Sequence, residues 1–453
     1  MILRGDICRL NGAELKSVDV VTGGSPCQNI SISGNGTGLG GIESRLFFEQ
    51  MRIIREMREA AGSTRYMIWE NVANIFSCNS GNDFRRVLSE TVSIADEKAG
   101  KAFDLKDVPK NGWRKAGALF GGNWSVAWRL TNARFFGVPQ SRRRIAVVAD
   151  FDGLSAADIL FGTKPLEGTP ARPVMFEKFE DGAWTECPDE TAKHSDYGEG
   201  PEIPVEVDLA DVLEPDAGPE YYLTVKACEG IFKRAAKRHK EISAYLEKGL
   251  SGNIVLDPRN NGLPEGTPRA VEALHHNGFG DYRAGTFTSA LKASGGDVGF
   301  GSECLVVTEF AKEGREPLYC VRRLSVTECE RAQGFPDGWT DIGEEDAATG
   351  EKFFTDTNGV RRKVTPAQRG KALGNSIALP FWQYLADRIC AEYDRPVTMG
   401  SLFDGISGFP LVFTGSGALP VWSSEIEEYP AAVCRAHFGD EEKGVKGDIG
   451  KYI

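Results

Sequence analysis

Val18-Asp-Val-Val-Thr-Gly-Gly-Ser-Pro-Cys-Gln28 reads as a short apolar strand that runs into a glycine turn and then sets a cysteine behind a proline. Three β-branched valines suit a strand buried on both faces, and Asp19 interrupts them. A second apolar run, Tyr66-Met-Ile-Trp69, leads into Glu70-Asn71-Val72, and a third covers Ile145–Ala149. Between them, Leu46–Met57 and Phe84–Ala95 carry apolar residues at helical spacing. Strand–helix–strand alternation predicts an α/β fold with a doubly wound parallel sheet.

The pattern changes further along. From about 151 to 320, glycine, proline and acidic residues dominate, and helical periodicity is confined largely to 226–249. A separate, loop-rich domain is expected there. Regular spacing resumes after Cys320, with helices expected at 326–333 and 377–393. The last 55 residues open with Gly400-Ser-Leu-Phe-Asp-Gly-Ile-Ser-Gly408, followed by Val421-Trp-Ser-Ser-Glu425. A glycine turn after one strand, and an acid at the end of the next, is the arrangement of a nucleotide-binding unit. Such a unit normally opens a domain. Here it stands at 397–453, after segments at 1–150 and 321–396 that are expected to share a domain with it.

Charge and cysteine usage narrow the classes. The net charge of −12 speaks against nucleic acid only as a sum. Fifteen acidic residues and two lysines fall between Glu177 and Glu220, whereas basic residues gather at Arg142–Arg144, Lys226–Lys240 and Arg361–Lys363. Ten scattered cysteines without a Cys-x-x-Cys pair, and only five histidines, argue against a structural metal site. They fit a reducing compartment. With no apolar run of membrane-spanning length and no leader pattern, a cytoplasmic protein is expected.

Taken together, Pro26-Cys27-Gln28, Glu70-Asn71-Val72, Gly137-Val-Pro-Gln-Ser-Arg-Arg-Arg144, Arg322–Pro336 and Gly374-Asn-Ser-Ile377 resemble the DNA (cytosine-5)-methyltransferases of phages and restriction–modification systems. The resemblance implies a Rossmann-like S-adenosylmethionine-dependent methyltransferase domain with a smaller target-recognition domain at 151–320. Its segment order implies a circular permutation joined through Tyr393–Val397.

The chemistry expected of these residues is coherent. Cytosine C5 is unreactive until a thiolate adds at C6, and sulfur adds and leaves reversibly, which suits Cys27. Glu70 would share a proton with ring N3 and read the exocyclic amine. Arg142 and Arg144 would donate to the ring O2 and hold the nucleophile loop. The glycine-rich stretch Asn29–Gly41 fits a loop closing over DNA after the base is flipped out. Gln28, Ser31, Ser33 and Gln140 are expected at the DNA, with Lys233 and Arg234 as phosphate contacts on a basic helix. Loops within Asn260–Gly301 are candidates for the major groove.

For the methyl donor, the resemblance points to Phe403, Gly405 and Gly408 around the adenosine and methionine moieties. Glu425 would take the ribose hydroxyls, Ile426 the adenine face, and Asn375 with Ser376 the methionine end. Ser407 stands where glycine is common. Two Gly-Asp-Ile copies compete for the adenine amine, Gly5-Asp6-Ile7 and Gly447-Asp448-Ile449. Continuity with the strand carrying Glu425 favours Asp448. Double-stranded DNA is the expected partner, a cognate restriction endonuclease is one the family allows, and a monomer is expected. A relative that binds DNA without catalysis or completes a second chain, and an RNA-directed enzyme, remain as alternatives.

Overall fold

The computed structural model describes residues 1–26, 46–62, 64–162, 175–186, 199–200, 204–215, 217–276, 282–291 and 304–452. They form two compact units. The first comprises residues 1–136, 143–204 and 379–453, and the second 137–142 and 205–378.

A ten-stranded sheet among the described residues organises the first unit. In chain order its strands are β1 Ile2–Arg4, β2 Val20–Gly23, β3 Tyr66–Val72, β4 Ala116–Phe120, β5 Ser125–Asn132, β6 Arg143–Asp150, β7 Met175–Glu180, β8 Ala183–Glu186, β9 Thr398–Leu402 and β10 Leu419–Ser424. Their spatial order is β1-β10-β9-β2-β3-β6-β5-β4-β7-β8. The five strands from β1 to β3 run parallel. β6 then pairs antiparallel with both β3 and β5. The expected α/β class holds, and the two late strands β9 and β10 lie inside the parallel part rather than beyond it.

Side chains explain the packing. Every residue of β2 is buried, as its valines require. Alternate residues of β3 face opposite ways. Met67 and Trp69 join a core with Phe47, Met51 and Ile54 of the helix Leu46–Ala61. Tyr66 meets Tyr393, just after the helix Leu379–Cys390. Trp422 of β10 lies so close to Gly400 of β9 that a Cβ there would fall 2.2 Å from its ring, so only glycine fits.

The expected domain limits need correction. Residues 151–204 belong with the sheet unit, because β7 pairs parallel with β4 and buries Phe176 against Phe120 and Phe161. Conversely, 321–378 and 137–142 fall in the second unit. That unit is less loop-rich than its composition suggests. It holds an antiparallel sheet in the order Tyr282–Ala284, Thr267–His276, Leu305–Ala311, Leu318–Arg323. Two helices, Val225–Lys237 and Ala244–Leu256, pack on it through Ile231, Leu246 and Leu250. They replace the single helical stretch expected over 226–249; the Ser243 hydroxyl caps the second by accepting the Leu246 N–H at 3.1 Å. Among the described residues, no helix is long and apolar enough to cross a membrane.

Candidate active site

Strand register brings the candidate residues of the first unit to one edge. Arg4, Ser424, Leu402, Gly23 and Trp69 form a single row across β1, β10, β9, β2 and β3. All five strands run the same way, so the segments that follow the row emerge at the carboxyl edge, where open α/β sheets bind ligands. Those segments are Gly5-Asp6, Glu425-Ile426, Phe403–Gly405, Gly24-Ser25-Pro26 and Glu70-Asn71.

Glu70 and Arg144, expected separately at the ring, form an ion pair with each other. Arg144 Nε lies 2.7 Å from Glu70 Oε1, with the two side chains 19% and 13% exposed. The other carboxylate oxygen, Oε2, faces Gly24, where a Cβ would come within 3.1 Å. A glycine before the Ser-Pro-Cys segment therefore lets its backbone approach the acid. Two residues given no role in the sequence hold that backbone in place. Trp69 Nε1 donates to Ser25 Oγ at 3.0 Å, and buried Asn71 donates to the Ser25 carbonyl at 3.2 Å. Their signal was present in the Trp-Glu-Asn-Val run but carried no chemistry of its own. Cys27, Gln28, Ser31, Ser33 and the glycine-rich loop lie outside the described residues.

Around β9 and β10, the turn adopts three left-handed residues in five, with φ of 55° at Phe403, 59° at Gly405 and 61° at Ser407. Glu425 is tied to it: its Oε2 accepts the Gly405 N–H at 2.7 Å, while Oε1 accepts those of Ile426 and Glu427 at 2.8 and 2.7 Å. Burial pushes the Glu425 carboxyl up to about 7, against the lowering pull of these backbone donors. A Cβ on Gly405 would meet nothing within 4 Å, and the Ile426 side chain is 69% exposed. Open space at the turn, an acid at the strand end and an uncovered aliphatic face beside it fit an adenosine group. Gly408 opens the helix Gly408–Gly415 and is buried.

The two Gly-Asp-Ile copies separate. Ser424 Oγ donates to the Gly5 carbonyl at 2.6 Å and Glu425 N–H to that of Arg4 at 3.1 Å, so Asp6 follows the row beside Glu425. Asp448 lies beyond the far end of the helix Glu428–Phe438. Its carboxylate contacts His437 Nδ1 and Lys451 Nζ, each at 2.8 Å, and its N–H bonds Ala436. This corrects the preference for Asp448: chain continuity with Glu425 is broken by a helix that carries the chain back down the sheet.

A family model described as C-5 cytosine-specific DNA methylase matches residues 2–94 and 118–391. The chain belongs to that family. Among its relatives is the DNA N-6-adenine-methyltransferase of Escherichia phage P1, 27% identical over an alignment of 440 positions that covers 85% of this chain and 54% of the relative. Another is the type II methyltransferase M.HhaI of Haemophilus parahaemolyticus, 28% identical over 163 residues, or 36% of this chain and 39% of the relative. The chain thus spans about half the length of the first relative and a smaller share of the second. The Dnmt2 methyltransferase of S. pombe superposes with a TM-score of 0.39 at 11% identity, covering 86% of this chain and 84% of that one.

The remaining methylase motifs fall in the second unit, where two expectations change. Arg142 is buried, and its Nη atoms donate to the carbonyls of Leu291 at 3.1 Å, Gly374 at 3.2 Å and Ser376. It therefore braces the Gly-Asn-Ser segment instead of standing ready for a base. Gln140 is also buried: its amide donates to the Ala332 carbonyl at 3.2 Å and its oxygen accepts the Leu291 N–H at 3.4 Å. The resemblance implies substrate contacts for both, whereas each satisfies buried backbone groups that no sequence pattern reveals. Asn375 is exposed and Ser376 buried at the end of the helix Pro366–Asn375. Lys233 is exposed on the helix Val225–Lys237 with Glu229 at 3.5 Å, and Arg234 is half-buried beside it.

Proposed function

We propose that this methylase transfers a methyl group from S-adenosylmethionine to C5 of a cytosine flipped out of double-stranded DNA. The register row carries the reading: one sheet edge holds the Glu425 turn, the segment leading to Cys27, and the Glu70–Arg144 pair. The Cys27 thiolate adds to C6, and the ring electrons make C5 nucleophilic. C5 takes the methyl group, its proton then leaves to solvent base, and the C6–S bond breaks to restore the thiolate. Glu70, oriented by Arg144, hydrogen-bonds N3 and the exocyclic amine as charge builds on the ring. The bound sulfonium cofactor supplies the electrophilic methyl. Phe403, Gly405, Glu425 and Ile426 would hold its adenosine, with Asp6 on the adenine amine.

Transfer to an adenine amine, the activity in the phage P1 relative's name, is the second reading. An exocyclic amine is already nucleophilic and needs no thiolate addition, so Cys27 would then have no task. In either case residues 397–453 would serve the same site, as a circularly permuted order requires.

Labelled S-adenosylmethionine and duplex DNA test the proposal. The expected product is 5-methylcytosine, abolished by Cys27→Ser. Label on adenine, or undiminished transfer by Cys27→Ser, would overturn it. Truncation after residue 396 should remove cofactor binding; unchanged binding would remove the permuted unit from the site.

A further inference from the structure

Asp404 lies beneath the cofactor turn and belongs to none of the contacts assigned so far. It is 5% exposed, yet its carboxylate is well supplied with donors. Ser401 Oγ donates to Oδ1 at 2.6 Å, and Ser407 Oγ donates to Oδ2 at 3.0 Å. Cys434 Sγ, from the helix Glu428–Phe438, stands 3.7 Å from the same Oδ2 and 3.3 Å from Ser423 Oγ. One carboxylate thus links the end of β9, the start of the helix Gly408–Gly415, and the helix that follows β10.

Ser407 makes this arrangement consequential. It is fully buried at φ 61° and ψ 37°, a left-handed conformation that costs a residue with a Cβ roughly 1–2 kcal/mol. Something must hold it there. Its N–H donates to the Asp404 carbonyl at 3.0 Å, and its hydroxyl donates to the Asp404 carboxylate, so both ends of the residue are tied to the same partner. The turn so fixed presents the Gly405 N–H to Glu425 Oε2 at 2.7 Å.

We propose that Asp404 is a positioning residue for the methyl donor: it holds Ser407 left-handed, and through that turn it keeps Gly405 against Glu425. The inference rests on the reading of Glu425 and its neighbours as the S-adenosylmethionine site. Burial pushes the Asp404 carboxyl up to about 6, with the hydroxyl donors pulling the other way, so above neutral pH it is the charged acceptor this role needs.

The distinctive consequence is rescue. A glycine at 407 enters the left-handed region freely and needs no tether. Binding of S-adenosylhomocysteine to the full chain, followed by titration calorimetry, should weaken about tenfold or more in Asp404→Ala. It should change less than about twofold in Ser407→Gly and recover most of the loss in the double variant. In turnover, Asp404→Ala should raise KM for the methyl donor with kcat little changed. Where Asp404→Ala does not fold, Asp404→Asn with and without Ser407→Gly gives the same comparison. A double variant as weak as the Asp404 single variant would overturn the proposal. Failure of the unaltered chain to bind S-adenosylhomocysteine would instead overturn the cofactor reading, and this inference with it.

Discussion

Arg395 clasps Asp19 through both guanidinium Nη atoms, at 2.6 and 2.7 Å, across 376 positions of sequence. The same carboxylate accepts the N–H and hydroxyl of Thr398, each at 2.8 Å. It therefore joins the segment entering β9 to the start of β2, the seam where residues 397–453 enter the sheet. Burial opposes ionisation of Asp19, but the bonds from Arg395 and Thr398 outweigh it and hold the carboxyl below its usual range. Arg395→Ala should therefore cost about 1 kcal/mol in urea unfolding, since solvent screens the half-exposed arginine. Because the folded pKa is depressed, this contribution is present above the unfolded pKa and lost as pH falls through the folded value. An equal loss from Arg395→Ala at acid and neutral pH would contradict this account of the seam.

Glu425 predicts a dependence of the same sign for cofactor binding, and of the opposite sign for stability. A carboxylate accepting ribose hydroxyls must be ionised, and burial holds this one near 7. Affinity for S-adenosylhomocysteine should rise about tenfold between pH 6 and 8, following the ionised fraction. The raised pKa favours the protonated fold, so the free protein's stability from this group is fully present below the unfolded value and declines as pH rises through 7. Glu425→Gln should bind more weakly and lose the slope. A slope that survives in Glu425→Gln would assign it to another group.

How much of this was legible beforehand depended on which residues carry local periodicity. β2 and β3 could be read because their apolar residues are consecutive, although Asp19 turns out to start a junction and not a strand. β7 and β8 could not. Met175–Glu186 is half polar because it edges the sheet, and its one fully inward aromatic, Phe176, gives no period. Acidic composition drew the domain boundary too early. Residue type likewise misled at Gln140 and Arg142, whose partners are backbone carbonyls and amides far away in sequence. Glu70, Arg144 and Glu425 were readable as candidates only through the motifs around them, since a lone charged residue within or just after a strand is ordinarily a solvated one.

The duplicated Gly-Asp-Ile motif can be resolved by paired variants. Both carboxylates have partners: Asp6, two residues past the register row, accepts the Cys8 N–H at 2.9 Å, whereas Asp448 contacts His437 and Lys451 beyond the helix Glu428–Phe438. Asp6→Ala should weaken S-adenosylhomocysteine binding about tenfold, the scale of one lost hydrogen bond. Asp448→Ala should leave the Kd within about twofold, its effect confined to a modest loss of thermal stability. The reverse ordering would return the adenine to Asp448.

Glu70 and Arg142 should fail in different ways, although both were first assigned to the reaction. Glu70 faces Gly24 and is held by Arg144, so Glu70→Gln preserves the shape but removes the acid that follows charge onto the ring. Its kcat should fall by about 10²–10³ while S-adenosylhomocysteine affinity and melting temperature stay near those of the unaltered protein. Arg142 spreads its guanidinium over three carbonyls in the second unit. A lysine ammonium, being compact, cannot serve all three. Arg142→Lys should cost about 2–3 kcal/mol of stability, with buried carbonyls left unpaired. Any activity it loses should return at lower temperature, where the fold is restored. If Arg142→Lys instead melted normally and lost kcat as severely as Glu70→Gln, Arg142 would belong to the chemistry after all.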